Sequence, residues 1–315
     1  MRYVDEFRDP ALASALVKEI GAISARLERG RDRPFAIMEV CGGHTHAIFR
    51  YGLEGLLPDL VEFVHGPGCP VCVLPMGRVD DCVAIAEREE VIFATFGDAM
   101  RVPGSRKSLL QAKADGADVR MVYSPLDALT LAKRNPERQV VFFGLGFETT
   151  MPSTALTVLR AAREGVQNFS LFCNHITIIP TLRALLEQPD LGIDGFIGPG
   201  HVSMVIGTAP YRFIAEEFHK PLVVAGFEPI DLLQSLLMVL RQIEAGTARI
   251  ENQYARVVPE HGNPQALKAV GEVYEPRETF EWRGLGSIAG SGVRLKAPYA
   301  AFDAEKRFSV PDVKV

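Results

Sequence analysis

The sequence predicts an α/β protein: two related, doubly wound parallel-sheet domains facing a central cleft, plus a small partial third domain built from the chain termini. Three observations predict it. Short β-branched or aromatic runs alternate with longer helical patterns, which is the rhythm of doubly wound units. Most of the runs are apolar without a break, as in parallel strands covered on both faces. The chain also has 315 residues, more than one ordinary core accommodates.

The elements follow in order. A helical pattern, ALASALVKEIGAISARLE (11–28), precedes strands FAIMEV (35–40) and VEFVH (61–65). Helix GRVDDCVAIAERE (77–89) leads to VIFATF (91–96) and DVRMVY (118–123). Helix SPLDALTLAKRN (124–135) leads to VVFFGL (140–145), and STALTVLRAARE (153–164) leads to FSLFC (169–173). DGFIG (194–198) and PLVVAG (221–226) complete the strands, and IDLLQSLLMVLRQIEAG (230–246) is the last long helix. The expected domains are 1–122, carrying the cysteine motifs, 123–228, a degenerate repeat, and 229–315, a crossing helix with a truncated carboxyl-terminal domain. Ligands of such sheets bind outside the carboxyl ends of the strands.

A repeat lies in the spacing. FAIMEVCGGHTHAIF aligns with NFSLFCNHITIIPTL, and FVHGPGCPVCV with GFIGPGHVSMV. Cys41 pairs with Cys173 and Gly66 with Gly198, each 25 residues apart (66−41 and 198−173), so one offset of 132 fits both. This implies two related α/β units centred on 30–100 and 150–230. At that offset His201 stands where Cys69 stands, and Met204 where Cys72 stands. A cysteine pair kept in one copy alone points to function rather than core filling.

Composition excludes several classes. The net charge of −5 and pI near 5.9 leave no basic stripe for phosphates, so no nucleic acid is expected. MRYVDEFRDP lacks an apolar signal core, and no run approaches the roughly 18 apolar residues of a membrane helix. No membrane association is expected, and the chain reads as cytoplasmic. Five cysteines in a reducing compartment lean towards metal or redox work.

Two loops carry that chemistry, CGGHTH (41–46) and GPGCPVC (66–72). If their strands are neighbours, Cys41, His44, Cys69 and Cys72 converge at one sheet edge. Backbone amides at the following helix start are expected to lower thiol pKa values. Three readings fit: a soft iron or zinc site using Cys41, Cys69 and Cys72 with His44; a dithiol–disulfide pair at Cys69 and Cys72; or buried free thiols. Cys82 and Cys173 read as core. GLGFETTMPS (144–153) has the glycines and hydroxyls to cradle an anion at a helix start, but it lacks a Walker lysine. Asp98, Arg101, His175 and His201 also follow predicted strands, facing the expected crevice between the domains.

These motifs, in order, carry a resemblance. CGGHTH, GPGCPVCV, FGDAMRVPGS, GFETTMP and GPGHVS, with the later RGLGSI and YAAFDAEKRF, resemble the HypD family of hydrogenase maturation factors, from about Tyr3 to Phe308. The resemblance implies a scaffold for assembling the Fe(CN)2CO group of nickel–iron hydrogenases. It implies a small HypC-like chaperone that carries iron and a HypE-like cyanide donor as partners. Cys41 is then the candidate iron ligand with His44 beside it, and Cys69 and Cys72 are the redox thiols. Glu148, Thr149, Thr150 and His201 fall in matching motifs as candidate binding residues. Family members continue into a cysteine-rich tail holding a 4Fe–4S cluster. Here no cysteine follows Cys173, so the expectation is either a truncated chain or a variant without the cluster. The alternatives are a thiol–disulfide oxidoreductase using Cys69 and Cys72, and a nucleotide-dependent enzyme using 144–153.

Overall fold

The computed structural model describes residues 5–27 and 32–309. Glu28 of the expected first helix, Tyr3, and the outermost ends of the first and last expected domains lie outside the described residues. Helix α1 (Pro10–Leu27) leads to β1 (Phe35–Glu39), α2 (Gly42–Tyr51) and β2 (Val61–His65). Next come α3 (Pro70–Val73), α4 (Met76–Ala86), β3 (Val91–Thr95), α5 (Leu109–Ala114), β4 (Val119–Met121) and α6 (Pro125–Arg134). They are followed by β5 (Gln139–Gly146), α7 (Met151–Arg163), β6 (Phe169–His175), α8 (Ile178–Leu186), β7 (Gly195–Gly198) and α9 (Gly200–Ile206). Then α10 (Arg212–Glu216), β8 (Leu222–Val224), α11 (Pro229–Glu244), β9 (Ile250–Asn252) and α12 (Pro264–Val273) occur. Strands β10 (Tyr274–Pro276), β11 (Thr279–Trp282), β12 (Gly286–Ala289) and β13 (Val293–Leu295) precede α13 (Ala304–Arg307).

The α/β class is as expected, and β1 to β8 all form within two residues of their predicted ends. The chain divides into two compact units, Met1–Cys69 with Leu182–Asn263, and Pro70–Thr181 with Pro264–Val315. The first holds a parallel sheet in the order β2-β1-β7-β8-β9. The second holds a parallel sheet in the order β4-β3-β5-β6. Strands are therefore drawn from separated stretches, and the contiguous ranges 1–122, 123–228 and 229–315 do not describe their distribution. The repeat shows why. Its first copy, β1-α2-β2, lies within one sheet, whereas β6 and β7 of the second copy enter different sheets. An apolar run fixes that a strand forms, but not which other run satisfies its edges.

In the first unit, Leu16, Ile20 and Ile23 of α1 share a core with Phe35 and Ile37 of β1 and Leu232, Leu233, Leu236 and Leu240 of α11. In the second unit the two faces of the sheet bury different sets. Phe93, Phe143 and Phe172 belong to one, and Ile92, Val140, Phe142 and Leu171 to the other. Each such side chain contributes about 1.5–3 kcal/mol by leaving water. Strand β9 and the pairs β10–β13 and β11–β12 were not foreseen. They are three or four residues long, too short to show a period.

Connections leave the first sheet in opposite directions from β1 and β7, and the second from β3 and β5. Those switch points open crevices at the carboxyl ends of the strands.

Candidate functional site

In the first unit, β1 ends at Glu39, and Cys41 takes an extended conformation (φ −148°, ψ 120°) just before α2. Its carbonyl accepts from the amides of His44 (2.8 Å) and Thr45 (3.2 Å). The loop after β2 lies directly on it. Gly66 N donates to Glu39 O at 2.8 Å, and Gly42 N donates to Gly68 O at 3.1 Å. A Cβ on Gly68 would stand 2.3 Å from Cys41 N, so only glycine permits this approach. A Cβ on Gly42 would lie 3.8 Å from the Cys69 Cβ. The CGGHTH and GPGC loops are thus joined backbone to backbone.

Cys41 is buried. Its sulfur makes no cap hydrogen bond with its own helix, yet the amides of Gly43, His44 and His201 favour its anion. Burial outweighs them and pushes the thiol up to about 11. This corrects the expectation of a lowered pKa: the amides are present, but removing the thiolate from water costs more than they return. Two helix starts, those of α2 and α9, contribute these amides.

His44 is fully buried, and burial holds it down to about 4, so it is neutral at pH 7. Its Nε2 lies 3.2 Å from the Ala225 carbonyl, which can only accept, so Nε2 carries the proton. Nδ1 is left as a buried lone pair with no hydrogen-bond partner. The solvent-exposed His201 opens α9 and stacks on Phe227, with centroids 3.8 Å apart. Phe227 also packs against His44 at 4.7 Å.

Sequence reasoning missed Glu39 and Phe227. The buried Glu39 carboxylate accepts from Cys41 N at 2.9 Å, from the Thr45 hydroxyl and from His65 Nδ1 at 2.8 Å. A lone acid inside FAIMEV, and an aromatic residue directly after the glycine that follows β8, were the available signals.

Cys69 and Cys72 are both disulfide-bonded, whereas Cys41, Cys82 and Cys173 are free. Cys72 stands in α3. Cys82 is enclosed in the core, and Cys173 donates to Val293 O at 3.3 Å, so both serve packing, as expected. Among the described residues, no group of three or more His, Cys, Asp or Glu side chains is disposed to hold a metal ion.

Glu148, Thr149 and Thr150 lie in the second unit, in the loop between β5 and α7 at that sheet's switch point. Glu148 Oε1 accepts from the Ile178 amide at 3.0 Å, which caps α8. Its Oε2 is buried without a hydrogen-bond partner, and burial raises the carboxyl to about 7. Thr150 Oγ1 lies 3.3 Å from His175 Nδ1, and Thr154 Oγ1 lies 2.9 Å from His175 Nε2. His175 is therefore a buried hydrogen-bonding group. Asp98 accepts from Ala99 N at 2.9 Å and so caps its own turn.

A family model described as HypD, Hydrogenase formation hypA family, matches residues 11–315. The chain belongs to the HypD family. Hydrogenase maturation factor HypD of Rhodobacter capsulatus is 67% identical over 310 residues, 98% of this chain and 82% of that protein. Its namesake in Escherichia coli K12 is 62% identical over 308 residues, covering 98% and 83%. That of Azotobacter vinelandii is 52% identical over 316 residues, covering 98% and 82%. No helix among the described residues of this HypD-family chain is long and apolar enough to cross a membrane.

Proposed function

We propose that this chain serves hydrogenase maturation in the cytoplasm as the scaffold on which the Fe(CN)2CO group is assembled, with iron as cargo held through Cys41. The observation that carries the reading is the Cys41 sulfur itself: buried at a switch point, with amides of two helix starts favouring its thiolate. A cation supplies the charge that those amides only partly provide, and displaces the proton. Low-spin iron carrying cyanide and carbon monoxide prefers soft thiolate support in a dry site. The neutral His44 offers the unpartnered Nδ1 lone pair close by in sequence. With few protein ligands at hand, the remaining positions are left to the diatomic groups and to a thiolate of a small HypC-like chaperone. A HypE-like protein is the cyanide donor.

Cys69 and Cys72 are the dithiol pair of this reading, able to hold or release two electrons as they pass between disulfide and thiols. A 4Fe–4S cluster ordinarily needs four thiolates. Cys82 and Cys173 are enclosed and Cys69 and Cys72 are oxidised, so the described residues do not fit that cofactor.

The test is anaerobic copurification with the chaperone followed by elemental analysis. Cys41→Ala abolishes iron retention; unchanged iron content refutes the reading. The disulfide state of Cys69 and Cys72 supports a second reading, a thiol–disulfide oxidoreductase. That reading requires turnover of a model disulfide, lost in Cys69→Ser and indifferent to Cys41→Ala.

A further inference from the structure

Three loops meet at the rim of the first sheet, and one side chain occupies the space where they meet. Phe227 follows β8 and enters between the first turns of α2 and α9. A Cβ on Gly43, in α2, would stand 2.8 Å from Phe227 Cε1. A Cβ on Gly200, in α9, would stand 2.9 Å from Phe227 Cε2 and 2.3 Å from the Ala225 carbonyl. Both helices therefore begin with a bare backbone against the same ring. Cys41 stands directly before the first of these helices, its carbonyl held by the amides of His44 (2.8 Å) and Thr45 (3.2 Å). The ring stacks on His201 within 20° of parallel, packs at 30° against His44, and meets Tyr254 edge-on at 5.9 Å.

The second glycine of CGGH thus has a reason that metal ligation alone does not supply. Three ring contacts on one side chain fix its rotamer and the gap that it fills. We propose that Phe227 is the positioning residue of the Cys41 site. Its ring sets the separation of the amino ends of α2 and α9 and closes the site to water. The link to iron rests on the function proposed above; the wedge itself does not.

The experiment is therefore iron-free. Iodoacetamide labelling of the full chain at fixed pH is followed at each cysteine by mass spectrometry, for the wild type, Phe227→Ala, Phe227→Leu, Gly43→Ala and the double variant Phe227→Ala/Gly43→Ala. Cys82 and Cys173, both enclosed in the second unit's cores, report any general loosening. Phe227→Ala is expected to label Cys41 at least about tenfold faster, with Phe227→Leu between it and the wild type. Gly43→Ala matches Phe227→Ala by displacing the ring, and the double variant adds nothing further, because one device has been removed twice. An unchanged Cys41 rate in Phe227→Ala overturns the proposal, as does a rise shared by Cys82 and Cys173. If Phe227→Ala does not fold, Phe227→Leu and Gly43→Ala carry the same two outcomes. Iron loss on Cys41→Ala is a separate measurement, so failure of the wedge and failure of the iron reading are told apart.

Discussion

Cys41 is expected to be a slow nucleophile, and the amount follows from its surroundings. Burial holds the thiol at about 11, against roughly 8.5 for a free cysteine. At pH 8 about one Cys41 in a thousand is then thiolate, compared with about one in four for an unfolded chain. Because only the thiolate reacts, alkylation of native Cys41 falls roughly two orders of magnitude below that of the urea-unfolded protein. Enclosure of the sulfur lowers it further. The rate climbs about tenfold per pH unit with no plateau below pH 10. The assay is timed iodoacetamide quenching and peptide mass spectrometry, on a Cys69→Ser/Cys72→Ser background that prevents thiol exchange. Native and unfolded rates within tenfold at pH 8, or a plateau near pH 8.5, would show that the amides of α2 and α9 prevail over desolvation and would refute the reasoning. If burial prevails and the proposed iron reading holds, each iron bound through Cys41 releases about one proton at pH 7, which calorimetry in buffers of different ionisation enthalpy detects.

Two further outcomes follow from the same physics. The Glu148 carboxyl, raised from an ordinary 4.5 to about 7 in the fold, favours the native state when protonated. Stability from this group is therefore full below about pH 4.5 and is lost as pH rises through 7, by roughly 3 kcal/mol in all. Glu148→Gln removes that slope, so urea melts separate the variants far more at pH 8 than at pH 5; a pH-independent difference contradicts the account. Gly68→Ala forces a methyl group to within 2.3 Å of Cys41 N and costs about 1–3 kcal/mol. A denaturation midpoint equal to wild type would mean that the two loops are not in contact.

Much of the fold was legible in the sequence because parallel strands buried on both faces read as largely apolar runs, as β1, β3, β5, β6, β7 and β8 do, while the edge strands β2 and β4 are only partly buried. The shared spacing of Cys41 with Gly66 and of Cys173 with Gly198 suggested a repeat, but β6 and β7 of its second copy enter different sheets; the CGGHTH and GPGC loops were correctly expected to meet. A strand as short and polar as β9, Ile250–Asn252, gives no periodic signal. Glu39 and Phe227 looked like ordinary members of a strand and a loop until their neighbours were known.

Chain order and local pattern thus determined which segments become strands and helices, where bare glycines must stand, and which family the motifs resemble. Tertiary structure alone decided that β7 joins β1 while β6 joins β5, that Phe227 enters between two helix starts, and that the Cys41 thiol is raised rather than lowered. The physical reason is common to all three. Edge pairing, close packing and desolvation depend on atoms distant along the chain, and no local spacing encodes what will stand beside a given side chain.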